Sequence, residues 1–377
     1  MRIGVVATYP PTLCGIAAFA KHLTDAIESS TESECVVVRS VPTRDTSQHP
    51  RVQEHLVAGD RDSQVAAVRV LNSCDVAIIE HEFGIYGGAD GAEILPVAKG
   101  VRQPLIVTLH TVLAAPSRRQ LAIIEHLARA ADAVVVMTHA AQVLASRVYH
   151  VPPEKILVIP HGSTFTPQAP ARMVPNRLVT WGLLGPGKGI EWAIRALPAL
   201  ADLRPDLRYH VIGDIHPTVR RSSGTAYRML LEREAERLGV TENLVLDPGY
   251  HADRSLLRLI ATASVVVLPY ESTDQATSGV LVDALAAGRP VVATCFPHAT
   301  EALGGGAGLV VPHQDPDALA AAIRELLTTP GALAAASLAS ARVGRHLSWS
   351  AVVGAYRDVA RRLVHRRRRI TRGRANP

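Results

Sequence analysis

Lys188 stands in a glycine-rich stretch, WGLLGPGKGI at residues 181–190, directly after an apolar strand pattern. Glycines there let a backbone come close to a phosphate, and one lysine supplies a positive point charge. Gly182, Gly187 and Lys188 fit the spacing GxxxxGK, but Gly189 occupies the position where a P-loop needs Ser or Thr to hold magnesium. The stretch therefore points to phosphate binding without the metal ligand of an ATPase or GTPase. A second stretch, residues 265–294, reads VVVLPYESTDQATSGVLVDALAAGRPVVAT. Its polar loop ends at Ser278 and Gly279, where a helix begins, and the free amides and dipole of a helix N-terminus favour an anion. Gln275 in that loop can donate and accept hydrogen bonds, and Asp283 in the helix can accept them from paired sugar hydroxyls.

His110, in TLHT, follows the apolar run LIVTL, a position suited to orienting a substrate or moving a proton. Residues 80–88, EHEFGIYGG, place two acids, a histidine, aromatics and glycines just beyond another strand pattern. Glu82 there, and His139 after the run at residues 133–137, are candidates for contacting an acceptor. Gly15 lets the chain turn tightly at the start of a helix pattern. No metal site is expected: Asp60 and Asp62 lie in a polar stretch, and Asp315 and Asp317 read as a helix cap with an acidic first turn. No serine sits in a GxSxG elbow.

These residues must be held by strands and helices that the pattern supplies. Short β-branched runs at residues 3–8, 35–39, 75–79, 105–109, 133–137 and 156–159 alternate with helical patterns at 17–27 and 117–130. Residues 42–63 are polar and unassigned. The proline-rich stretch 165–177 reads as a linker, and the pattern then restarts. Strands are expected at 178–181, 208–212, 244–246, 265–268, 291–294 and 308–311, and helices at 190–203, 227–238, 255–263, 279–287 and 316–327. This predicts two facing, Rossmann-like, doubly wound α/β domains: residues 1–166, a linker at 167–177, and 178–346. A final helix at 347–365 is expected to cross back to the N-terminal domain, followed by a basic disordered tail, 366–377.

Composition narrows the partners. The net charge is +6, but residues 361–377 hold eight arginines and no acid, so the body carries 6 − 8 = −2. That argues against a nucleic-acid-binding core, while the tail suits an anionic lipid or another anionic partner. The four cysteines are scattered without a CxxC pair, no apolar run approaches a membrane span, and MRIGVVATYP lacks the features of a signal peptide. A reduced cytoplasmic setting is expected.

Taken in order, PPTLCGIAAF, HEFGIYGG, TLHT, IPHG, GLLGPGKGIEWAI, DQATSGVLVDALAAGRPVVAT and SWSAVVGAY resemble the retaining glycosyltransferases of family 4, on the fold called GT-B. Within that family the mannosyltransferase-like branch is the nearest in pattern. The resemblance runs from the first strand to Arg362. It implies a metal-independent transfer of a hexose, plausibly mannose, from a GDP- or UDP-linked donor to a glycan or lipid-linked acceptor, with no further cofactor. It implies that Lys188, Ser278 and Gly279 meet the donor phosphates, that Asp283 holds the ribose and that Gln275 touches the hexose. Gly15 and Gly182 would form glycine loops at the donor, Gly213 and Tyr250 would face the base, and His110 would lie beside the reacting centre. The family's E-x7-E pair is here Gln275 and Asp283, and the arginine common beside the lysine is missing, with Leu183 and Gly185 in that neighbourhood. Two alternatives stay open at this point: another sugar-nucleotide enzyme on the same fold, such as an epimerase, and a non-catalytic sugar-nucleotide-binding protein.

Overall fold

The computed structural model describes residues 1–30, 32–45, 47, 49–163, 173–203, 206–249 and 253–374. The chain forms two compact units, residues 1–162 with 349–377, and residues 163–348. In the first unit the strands are β1 (Arg2–Ala7), β2 (Glu34–Val41), β3 (Val52–Val57), β4 (Val76–His81), β5 (Leu105–Leu109), β6 (Ala133–Val136) and β7 (Ile156–Val158). Its helices are α1 (Gly15–Ser30), α2 (Arg61–Asn72), α3 (Ile94–Gly100), α4 (Arg118–Ala130) and α5 (His139–Arg147), joined by a helix from the end of the chain. The strands are parallel and ordered β3-β2-β1-β4-β5-β6-β7.

In the second unit the strands are β8 (Arg177–Trp181), β9 (Arg208–Ile212), β10 (Leu244–Asp247), β11 (Val265–Leu268), β12 (Val291–Thr294) and β13 (Gly308–Val311). The helices are α6 (Ile190–Ala196), α7 (Pro217–Ser223), α8 (Ala226–Arg237), α9 (Asp253–Ala261), α10 (Gly279–Ala286), α11 (Pro297–Leu303), α12 (Pro316–Thr328) and α13 (Ala332–Gly344). This sheet is also parallel, in the order β10-β9-β8-β11-β12-β13. Alternation along β11 shows why its run is apolar throughout. Val265 and Val267 enter one core layer with Ile194, Leu231 and Ile323, whereas Val266 and Leu268 enter the other with Leu281, Leu285 and Phe296. Both faces are covered by helices, so neither parity can be polar.

In each sheet the winding direction reverses once, between β1 and β4 and between β8 and β11. Ligands of open α/β sheets bind outside the carboxyl ends of strands at such a reversal. The loops leaving β1, β4, β8 and β11 are those that carry Gly15, residues 80–88, residues 181–190 and residues 269–278.

The last helix, α14 (Trp349–Arg374), presents Trp349, Val352, Val353, Tyr356, Val359 and Ala360 to the first unit's core, together with Phe19, Leu23 and Ile27 of α1. That spacing is one face of a helix. A Cβ at Gly162 would sit 2.4 Å from the Trp349 ring, and the Tyr356 hydroxyl lies 3.0 Å from Thr108 Oγ1. Helix α14 lies where the crossover helix is expected and runs past residue 365; of the expected tail, 366–377, residues up to Arg374 are helical and 375–377 lie outside the described residues. The helix continues through Arg366–Arg369, exposed on the helix, to Arg374. Arginine is a good helix former, and an existing helix need not be nucleated again.

Other differences have local causes. Residues 42–63 contain β3 and the cap of α2, which the polar composition hid. β3 is an edge strand, where Gln53 and Glu54 are tolerated. Asp60 caps α2 by accepting from the amides of Asp62 and Ser63, and Asp315 caps α12 through the amide of Ala318. The expected helix 190–203 stops at Ala196 and continues as 3-10 turns, with Leu200 outside helical dihedrals. Pro198 removes a backbone donor there. Of the expected linker, residues 167–172 lie outside the described residues, as does Tyr250; Val174 is already hydrogen-bonded to Thr262 and Ser264.

Candidate functional site

The second unit offers two arms at the β8/β11 reversal. The first is the glycine loop. Gly182 (φ 122°) donates to Ile212 O, and Gly213 (φ 138°) donates to Asp247 O, both at 3.0 Å. A Cβ at Gly213 would lie 2.0 Å from Gly182 O, so this glycine, expected beside the base, is required by the approach of two strand ends. Gly189 (φ 65°) precedes α6, and a Cβ there would lie 1.8 Å from Pro269 O. The residue that removes the P-loop magnesium ligand is thus demanded by the neighbouring backbone. Gly187 (φ 87°) has open space around it, and its carbonyl accepts from the Glu271 amide at 3.0 Å. Lys188 holds its ammonium 4.5 Å from the centre of the Tyr270 ring, which stacks on Phe296 at 5.3 Å. Among the described residues no carboxylate pairs with Lys188.

The second arm is the first turn of α10. Four amides at a helix start have no partner inside the helix. Ser278 Oγ accepts from Leu281 N at 3.2 Å and caps the helix. The Ser278 amide, expected to meet phosphate, instead donates to His298 Nδ1 at 2.9 Å. Among the described residues the amides of Gly279 and Val280 have no hydrogen-bond partner. A Cβ at Gly182 would touch Val280 at 3.8 Å, so the glycine loop starts against this turn. Gln275 donates from Nε2 to Thr277 O at 2.7 Å, bracing the loop from within. Asp283, half-buried one turn into α10, accepts at Oδ1 from Ser163 Oγ at 2.6 Å.

His298 was missed by sequence reasoning; the signal available was a histidine four residues beyond the end of β12. It is 8% exposed, and burial pushes its imidazole down to about 4, against a weaker opposite pull from Glu301. The neutral ring is what can accept the Ser278 proton.

The first unit gathers a different set at the β1/β4 reversal. Gly15 opens α1 with nothing near its Cβ position, and Cys14 Sγ accepts from the Ala17 amide at 3.4 Å. His110 Nε2 lies 2.8 Å from Glu80 Oε2, with the Glu80 side chain fully buried. Glu80, not Glu82, is the partner of His110; an acid at the end of the apolar run VAIIEH was its signal. Glu80 Oε1 has no partner among the described residues. Glu82 instead accepts from the Thr111 hydroxyl. His139 begins α5, exposed, with Nδ1 3.3 Å from Gln142 Oε1. It stands at the same strand-end edge, since β4, β5 and β6 are neighbours. Gly87 and Gly88 serve packing: Cβ atoms there would lie 2.2 and 3.2 Å from the Glu93 side chain. His81 is buried with both ring nitrogens unpartnered among the described residues, and burial, then the nearby His110, lowers it to about 3.

Residues 29–163 match the family described as Glycosyltransferase Family 4, and residues 175–329 match Glycosyl transferases group 1. The chain is 28% identical over 291 residues to the D-inositol 3-phosphate glycosyltransferase of Thermobispora bispora, covering 70% of this chain and 67% of that protein. It is 34% identical over 169 residues to the GDP-mannose-dependent alpha-(1-6)-phosphatidylinositol monomannoside mannosyltransferase of Mycolicibacterium smegmatis, covering 43% and 40%. For the first three curated relatives the matches span 40%, 67% and 56% of their lengths. Among solved structures, Anabaena HepE in complex with UDP aligns with a TM-score of 0.75 at 18% identity, over 95% of this chain and 99% of that one. Sucrose-phosphate synthase from Thermosynechococcus elongatus aligns at 0.73 and 18%, over 96% and 99%. At these identities the likeness is one of fold.

Two predictions follow from the packing. Gly187→Ala should cost only about 1–2 kcal/mol for its left-handed backbone, whereas Gly189→Ala, facing a carbonyl, should cost more than about 4 kcal/mol; urea denaturation compares them, and equal midpoints would contradict the geometry. The second concerns acid. His81 and His298 bind protons less readily folded than unfolded. Above about pH 6.5 both states are neutral there and nothing is lost. Below it the unfolded chain takes up protons the folded one refuses, so each histidine removes about 1.4 kcal/mol per pH unit down to its lowered value. Calorimetry from pH 7 to 5 should show falling melting temperatures that His298→Asn makes shallower; an unchanged slope would contradict it.

Proposed function

This chain belongs to the family 4 glycosyltransferases, on the GT-B fold, and from that premise we propose that it moves a hexose from a nucleoside diphosphate sugar to a glycan or lipid-linked acceptor, retaining the anomeric configuration. The observation that carries the reading is the pairing of two open amides, at Gly279 and Val280, with a lysine that no carboxylate neutralises among the described residues. A diphosphate needs such a partner: its negative charge grows as the bond to the sugar breaks. The helix end supplies fixed dipoles, and Lys188 exchanges the ring of Tyr270 for a phosphate oxygen. A cation over an aromatic face is worth about 0.5–2 kcal/mol, less than a charge-assisted contact inside a site.

The remaining roles follow the chemistry of each side chain. Asp283, whose Oδ1 accepts from the Ser163 hydroxyl, holds the ribose hydroxyls. Gln275 meets the hexose without adding charge. Glu80 accepts the hydrogen bond of His110 Nε2–H and so leaves Nδ1 as the ring's acceptor. The acceptor oxygen bonds to the anomeric carbon from the face the diphosphate leaves, and its proton passes to the departing phosphate oxygen. No metal ion takes part in this scheme, because the lysine and the amides carry the compensating charge.

A GDP-linked mannose is supported by the printed specificity of the Mycolicibacterium smegmatis relative, and a UDP-linked sugar by the ligand of Anabaena HepE. A lipid-linked acceptor, met at the inner face of a membrane, is supported by arginines 361, 362 and 366–369, exposed along α14. Among the described residues no helix is long and apolar enough to cross a membrane.

Purified protein should release nucleoside diphosphate from a sugar nucleotide in the presence of EDTA, and Lys188→Ala should lower kcat/KM about 100-fold. Activity abolished by EDTA would contradict the metal-free scheme, and binding without turnover over an acceptor panel would favour a non-catalytic binder. Truncation of residues 366–377 should leave turnover of a soluble acceptor unchanged and weaken sedimentation with vesicles of anionic lipid by about 10-fold or more; unchanged sedimentation removes the membrane assignment.

A further inference from the structure

A single strap, residues 294–298, reaches both arms of the anion site in the second unit. Thr294 Oγ1 donates to Tyr270 O at 2.6 Å, and the Phe296 ring backs the Tyr270 ring on which Lys188 rests. Two residues on, the His298 amide donates to Gln275 O at 3.4 Å, and its Nδ1 accepts from Ser278 N at 2.9 Å. The strap therefore touches the lysine platform, the loop bearing Gln275 and the cap of α10.

We propose that His298 is a positioning residue for the diphosphate: by taking the Ser278 amide proton it makes α10 present the Gly279 and Val280 amides, and only those, to the anion. This rests on the transferase reading above and deepens it. Ser278 is 3% exposed, so its amide needs a partner, and without His298 it is either orphaned or turned toward the ligand. The first destabilises the bound geometry by a buried unsatisfied donor, and the second rotates the peptide that sets the direction of the next two amides. The interaction requires an unprotonated Nδ1, and burial of the ring favours that neutral form. An asparagine in this place carries Oδ1 at the same number of bonds from Cβ as Nδ1, and can accept the same proton. A leucine fills the volume and cannot.

The test compares wild type, His298→Asn and His298→Leu by calorimetric titration with GDP, UDP, guanosine and uridine, with thermal unfolding of each protein alone. The expected result is that His298→Asn keeps diphosphate affinity within about 3-fold, while His298→Leu loses about 10-fold or more. Affinity for the phosphate-free nucleosides should stay unchanged in both. Equal loss for nucleosides and diphosphates assigns His298 a merely structural role and overturns the proposal. So does a His298→Leu protein that binds like wild type, or a His298→Asn protein as weak as His298→Leu. Nitrogen-15 NMR of the wild type gives an independent reading should His298→Leu fail to fold: Nδ1 must be the unprotonated nitrogen at neutral pH, and a protonated Nδ1 overturns the assignment. Failure of the wild type to bind either diphosphate sinks the transferase reading itself, and is distinguished from the other outcomes because it needs no variant.

Discussion

Four backbone amides at the start of α10 must find partners, and how they do so governs the second unit. The helix is short, apolar and buried on most sides, so its first turn has little access to water. Ser278 satisfies one amide with its own oxygen, and His298 satisfies another through a neutral ring nitrogen. Two remain, and they lie beside the loop that carries Lys188. A helix end with unspent donors next to an unneutralised ammonium suits a diphosphate better than any neutral ligand.

The glycines make that arrangement possible by different means. Gly189 and Gly213 are compelled by backbone carbonyl oxygens 1.8 and 2.0 Å from where a Cβ would sit. Gly187 answers only to its dihedral angle. A loop that looks like a P-loop therefore has no side chain at Gly189, because Pro269 O occupies the place where one would start. In the first unit the same kind of sheet reversal holds a different chemistry. There a buried carboxylate, Glu80, fixes the ring of His110, and the hydroxyl of Thr111 engages Glu82.

Much of this was legible from residue order because both sheets are parallel and covered on two sides. Runs such as VVVL and LIVTL can hardly be anything but buried strands, and the restart of the pattern near residue 178 marks the second unit. What escaped were features decided by tertiary contact. β3 reads as polar because an edge strand faces solvent. The charge of the tail masks the helix propensity of its arginines, and α14 carries it to Arg374. Glu80 and Glu82 are indistinguishable by type and share a parity; what separates them is that Glu80 lies within β4 and Glu82 just past its end, and that His110 sits beside the former. His298 lies 20 residues from Ser278, and no local pattern announces that one will accept the other's proton. Chemistry-bearing side chains were found where a strand ends; their supporting partners were not.

The most direct measurement is a crystal structure of the protein with GDP or UDP bound. The account predicts phosphate oxygens within about 3 Å of the Gly279 and Val280 amides, the Lys188 ammonium drawn from Tyr270 onto the diphosphate, and the Ser278 amide still on His298. A diphosphate seated away from α10, with Lys188 still over the Tyr270 ring, would contradict it.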